Sequence, residues 1–316
     1  MKKQSLLLLL FVAFGSFVGA QTPAVSAPLI ESDPKNQITP APASEPASRN
    51  TATKPATGQP ARTSNRTSTT PPQKKQQTET GTIKTAPQPT AQWHSVAGQA
   101  HDVGVGANGT AWVIGWVSVP GGYNIARWNG SFWEDIPGGA VRIDVDPNGN
   151  AWIVNDAGLI FRWDGQTWQG IGGQAHDIGI GANGKVWVIG WTAVSGGYNI
   201  ARWNGSFWED IPGGAVRIDV DPNGNAWITN DTGLIFRWKG QEWDFSIGGQ
   251  AHDVGIGADG TVWVIGWTAV PGGFNIGRWT GSYWADVEGG LNNISGAPNG
   301  SAWGTNTDGI IWKWLP

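Results

Sequence analysis

Three His-Asp dipeptides recur in this 316-residue chain: His101-Asp102, His176-Asp177 and His252-Asp253. Each is followed 15 residues later by a Trp (Trp116, Trp191, Trp267), and 22 residues later by Tyr123, Tyr198 or Phe274. Each of those last aromatics precedes an Asn: Asn124, Asn199 and Asn275. Flat aromatic faces stack on the apolar C–H face of a pyranose, while carboxylate, amide and imidazole groups direct hydrogen bonds to hydroxyls. These fifteen residues are therefore the candidate ligand-binding set, with a sugar as the expected ligand. The plainer alternative is that each Trp staples its own hairpin to a neighbouring element and each His bonds a backbone carbonyl. Repetition does not decide between them, because the copies look recently duplicated: residues 133–168 and 208–243 differ at only four positions.

Other chemistries find less support. Asp144-x-Asp146-x-Asn148-Gly149 opens like a calcium loop, but its twelfth position is Asn155 rather than Glu and no helices flank it, so a hairpin turn is expected. No Ser nucleophile motif and no isolated carboxylate pair stand out. Tyr123, Tyr198 and Tyr283 lack the arginine cluster that a sialidase needs. No enzyme activity, cofactor or metal is expected. Arg142 with Asp144, and Arg217 with Asp219, are expected to tie neighbouring blades together, the alternative being that they line a groove. Asn-Gly-Thr and Asn-Gly-Ser sequons, such as those at Asn108 and Asn129, read first as turns.

The elements that position these residues follow from a repeat. Trp93, Trp168 and Trp243 are spaced by 75 residues, as are Trp133 and Trp208, with Trp284 following after 76. Each such unit splits into two halves with a shared frame: a Val/Ile alternation, an Asn-Gly or Asp-Gly turn, a Trp, then Arg-Trp and Gly-x-x-Trp. Short alternating runs between Gly, Asn and Asp turns predict four short strands per half and no helical period. In the first half these fall near residues 100–106, 111–115, 124–128 and 132–136. Only the first, third and fifth halves carry an insertion between the second and third strands, Trp116 to Tyr123 in the first, which topology places on the same face as the Gly98–Asp102 segment. The last half ends at Trp314 without a fourth strand, and Gln92–Val96 has the pattern of one. The two chain segments should therefore pair and close a six-bladed all-β propeller over residues 91–316. Eighteen of the 22 Trp occupy framework positions, and Trp312 replaces a framework Phe, Phe161.

Asp144-Val145-Asp146-Pro147-Asn148-Gly149-Asn150-Ala151-Trp152 and Ile160-Phe161-Arg162-Trp163-Asp164-Gly165-Gln166-Thr167-Trp168 resemble the tectonin repeat. With six recurrences, the chain resembles the tectonin and tachylectin family of six-bladed propeller lectins. The resemblance implies multivalent glycan binding, with lipopolysaccharide, N-acetylglucosamine or O-methylated sugars as the family's ligand classes. A non-enzymatic protein-interaction or surface-structural module is the alternative.

Residues 1–20 read as a secretory signal peptide: Lys2 and Lys3, an apolar run from Leu6 to Val18, and cleavage near Ala20. Secretion or display at the cell surface is expected, without membrane insertion. Residues 21–90 contain no Phe, Trp or Tyr and are rich in Pro, Thr, Ala, Gln and Ser, the composition of a disordered linker. With no Cys, the mature chain has no disulfide to brace it. Residues 93–316 hold ten Lys/Arg and twenty Asp/Glu, a net charge of −10 that argues against nucleic acid as a partner.

Overall fold

The computed structural model describes residues 92–316. The signal peptide expected over 1–20 and the linker expected over 21–90 lie outside the described residues. Alternating apolar residues between glycine turns give strands almost throughout, and the helical content is a single 3-10 turn at Pro298–Gly300. Among the described residues no helix is long and apolar enough to cross a membrane.

The strands form antiparallel four-stranded units. In the first, β1 (Gln92–Val105), from Ala100 onward, pairs with β2 (Ala111–Val119), then β3 (Gly122–Trp128) and β4 (Trp133–Ala140). The second runs β5 (Arg142–Val145), β6 (Ala151–Val154), β7 (Leu159–Trp163) and the first part of β8 (Trp168–Ile180). The rest of β8 opens the third, with β9 (Val186–Val194), β10 (Gly197–Trp203) and β11 (Trp208–Ala215). The fourth comprises β12 (Arg217–Val220), β13 (Ala226–Thr229), β14 (Ile235–Trp238) and β15 (Trp243–Asp244). The fifth comprises β16 (Ala251–Ile256), β17 (Val262–Val270), β18 (Gly273–Trp279) and β19 (Trp284–Leu291). The closing unit joins β20 (Asn293–Gly296), β21 (Ala302–Thr305) and β22 (Ile310–Leu315) to the first part of β1, with Trp93 opposite Trp314.

The first strand of each unit packs against the first strands of its neighbours, and β20 against β1 completes the circuit. This is a β-propeller architecture. Its core lies between successive units: Trp112 is fully buried among Ile143, Val145 and Ile153 of the next unit, and Trp187 and Trp263 are as deep. The Arg of each Arg-Trp step stacks over that buried Trp, Arg127 sitting 5.6 Å from the Trp112 ring centroid. Lys313 takes the same place over Trp303. In five of the six units the fourth-strand Trp donates its indole N–H to a carbonyl of the unit before, as Trp168 Nε1 does to Pro137 O at 2.7 Å.

The expected insertion is a hairpin extension rather than a loop. Strands β2 and β3 continue to a turn at Pro120-Gly121, with a bulge between Ile114 and Ser118 that contains Trp116. The calcium-like segment is a turn clasp: Asp146 accepts from Asn148 N, Asn150 N and Arg162 Nη2.

Candidate functional site

A second bulge divides the sequence-predicted site. Pairing of β1 with β2 skips from Ala100 to Asp102, leaving His101 as the extra residue, and β8 and β16 repeat this at His176 and His252. Bulges re-aim side chains. Here His101 turns toward the hairpin extension, while Asp102 faces the axis of the circuit, lining the channel there.

At the extension, His101 stacks on Trp116 with ring centroids 4.1 Å apart and an interplanar angle of 9°, and meets Tyr123 at 4.0 Å. His176 repeats this with Trp191 and Tyr198, and His252 with Trp267 and Phe274. Burial holds the three imidazoles below their ordinary pKa. Trp116 also presses on the preceding unit: a Cβ added at Gly309 would collide with its benzo ring, as one at Gly158 would with Trp191 and one at Gly233 with Trp267. Each indole thus lies between an imidazole and a glycine turn, the staple that the plainer reading described, and 42–44% of each Trp remains exposed. The ring face sought for pyranose stacking is taken by His.

The polar members of the predicted set do other work. Asn124 Oδ1 accepts from Val117 N at 2.9 Å, restoring the hydrogen bond that the Trp116 bulge disrupts, and Asn199 and Asn275 do the same for Thr192 and Thr268. Asp102 Oδ2 accepts from Ile143 N of the next unit, Asp177 from Ile218 N and Asp253 from Ile294 N. Asp144 and Asp219 hook the backbone of Ile180 and Ile256 likewise, and Ser295 Oγ accepts from Val105 N, so every unit clasps its successor. Arg142 pairs with Asp102 of the unit before and Asp177 of the unit after, at 3.9 and 3.6 Å, tying units together as expected, with Asp144 not among its partners. Arg217 lies 3.8 Å from Asp253 and not beside Asp219. Burial pushes Asp102 up to about 6, opposed by Arg142, and Asp253 up to about 7, opposed by Arg217.

A groove with apolar walls lies elsewhere, at the junction of the fifth unit with the closing unit. It has a volume of about 380 Å³, lined by Trp93, Trp312 and Leu291 beside Gln92, Glu288 and Asn306. The corresponding junctions after the first and third units carry Pro137 and Pro212 where this one has Glu288. They carry Ala140 and Ala215 for Leu291, and Phe161 and Phe236 for Trp312. The Leu291 side chain fills the space left by Gly304, which stands where Ile153 stands in the second unit. Trp93 Nε1 is buried and, alone among the six fourth-strand Trp, donates to no carbonyl among the described residues.

In the sequence Trp312 stands out only as a replacement for a framework Phe. The signal lay in reading it together with Glu288 and Leu291, all departures of one junction from its copies. Phe132, Phe207 and Tyr283 do not stand out in the sequence either, yet they are more than 60% exposed at the opposite ends of the odd units' third strands. The corresponding turns of the second and fourth units carry Thr167 and Glu242.

No protein-family model and no curated protein matches the chain. Among solved structures, a structural-genomics protein of unknown function from Bacteroides thetaiotaomicron is similar with a TM-score of 0.51 and 9% identity, over 72% of each chain. YCF48 bound to D1 peptide gives a TM-score of 0.46 at 18% identity, covering 69% of this chain and 77% of that one. Streptogramin B lyase gives 0.45 at 14% identity, covering 72% and 97%. At these identities the likeness is one of fold alone.

Proposed function

We propose that the described residues are six blades of a closed propeller of tectonin-like repeats, and that the chain is a secreted, non-enzymatic glycan-binding protein. One observation carries the reading: the groove at the last junction joins two half-buried Trp rings to a carboxylate and two amides. Apolar walls with a few convergent polar groups are what a sugar requires, and about 380 Å³ is at the low end of small-ligand pockets. The stacks at Trp116, Trp191 and Trp267 are proposed as three accessory contacts through their exposed edges, adding avidity on a repetitive surface.

A glycan array tests this with two variants. Trp312→Phe/Glu288→Pro restores the residues of the other junctions and should weaken binding at least tenfold, about 1.4 kcal/mol, with the fold intact. Trp116→Ala/Trp191→Ala/Trp267→Ala should cost less on a monovalent sugar than on a dense one. Undiminished binding by the first variant rejects the groove. If the wild type binds no glycan, the lectin reading fails. Loss of a protein partner on mutating Phe132, Phe207 and Tyr283 together would then support an interaction module.

A further inference from the structure

Around the axis, on the side of the hairpin extensions, the first strands present alternating charges: Asp102, Arg142, Asp177, Arg217, Asp253 and, in the closing unit, Asn293. Arg142 and Arg217 both lie among these carboxylates, Arg142 between Asp102 and Asp177 and Arg217 beside Asp253, at 3.6 to 3.9 Å. Asn293 stands where a third Arg would bridge Asp253 and Asp102. Its amide is turned away: Nδ2 donates to His101 O, and Oδ1 accepts from Thr305 Oγ1 at 3.1 Å. A cavity of about 190 Å³ opens here.

Asp253 lines that cavity. It is about nine-tenths buried, and its Oδ2 is held by Ile294 N. Among the described residues its Oδ1 accepts no hydrogen bond, and Arg217 Nε lies 3.8 Å away. Beneath lie Asp144 and Asp219, so the channel holds five carboxylates against two guanidiniums. A metal ion is not the matching ligand, since no three carboxylate or imidazole groups among the described residues converge at coordination distance. A planar guanidinium is, because the neighbouring positions around the channel already hold one.

We propose that this channel mouth binds a guanidinium group between Asp253 and Asp102, supplied by an arginine side chain of a partner peptide or by a free arginine-like amine. The site is independent of the glycan groove. Burial raises the pKa of both Asp253 and Asp102, opposed by Arg217 and Arg142 respectively.

The test is binding of agmatine and of the peptide Gly-Gly-Arg-Gly-Gly to the full chain at fixed ionic strength, followed by titration calorimetry. Wild type should bind at least one. Asp253→Asn should weaken it tenfold or more. Asn293→Arg, which supplies the guanidinium internally, should abolish binding and raise the unfolding temperature, so it reports even if Asp253→Asn folds poorly. Tighter binding of the peptide than of agmatine assigns the site to a protein partner; the reverse assigns it to a free amine. No binding by wild type, or equal binding by all three proteins, overturns the proposal.

Discussion

The junction between the fifth and closing units and the junctions between the earlier units are built on one frame, yet they differ where it matters. After the first and third units, Pro137 and Pro212 receive the indole N–H of Trp168 and Trp243, and Phe161 and Phe236 line the wall. At the last junction Glu288, Leu291 and Trp312 replace these residues, and the indole of Trp93 has no acceptor among the described residues. The axial ring breaks in the same unit, with Asn293 for Arg and Ser295 for Asp. Recent duplication makes identity among copies uninformative. A departure that leaves the backbone pairing unchanged, as Trp93 opposite Trp314 does, has been tolerated or selected for something other than the fold. Both candidate sites lie at that departure.

The comparison predicts that the repeated frame carries stability and the last junction carries binding. The largest effect should come from Trp187→Ala. This side chain is fully buried, donates to Gly224 O at 3.2 Å and lies under Arg202. Its loss should cost about 3–5 kcal/mol in a urea titration. Trp312→Phe is half-buried and keeps an aromatic wall, so it should cost under about 1.5 kcal/mol. Comparable losses at the two positions would erase the distinction between frame and site.

A smaller effect probes the staples. Gly309 has φ +75° and sits against Trp116. Gly309→Ala adds a strained backbone and a collision, for roughly 1–3 kcal/mol. Removing the ring should relieve the collision, so Gly309→Ala with Trp116→Ala should cost less than the sum of the two, by roughly 0.5–3 kcal/mol of coupling. Strict additivity would mean that Trp116 does not clamp the preceding unit and that its face is free after all.

The repeat, the strand order and the closing pair were legible in the sequence because each rests on local periodicity and turn chemistry, repeated often enough to cancel accidents. The staple reading of Trp116 was legible as an alternative for the same reason. The division of His101 from Asp102 was not: it depends on one bulged residue, and adjacent residues in an unbulged strand would also point apart, but in unknown directions. The groove was hidden for another reason. Trp312 for Phe161 looks conservative alone. The junction's shape comes from Leu291 filling the space at Gly304, a contact between residues thirteen apart in different units.

The smallest predicted effect is electrostatic and separates the broken part of the axial ring from the intact part. Asp253 has its carboxyl pushed up to about 7 by burial, with Asp177 and Asp102 adding to the shift and Arg217 opposing it. A folded-state value above the unfolded one, ordinarily near 3.9, means that the native state binds the proton more tightly. The associated stability is present in full below about pH 4 and is lost as pH rises through 7. In Asp253→Asn nothing titrates at this position. The unfolding temperature of the variant minus that of wild type should therefore rise between pH 5 and pH 8, by about 2–4 °C for each kcal/mol in a domain of this size. His101, His176 and His252, held below their ordinary value, give a slope of opposite sign, with stability lost as pH falls. They are present in both proteins and cancel in the difference. Asp177 is raised by burial too, but has both Arg217 and Arg142 near it. Asp177→Asn should then show the weaker rise, because its guanidinium partners favour the ionised form. A difference that is flat with pH at Asp253, or steeper at Asp177, would mean that the missing third arginine leaves no electrostatic trace in the channel.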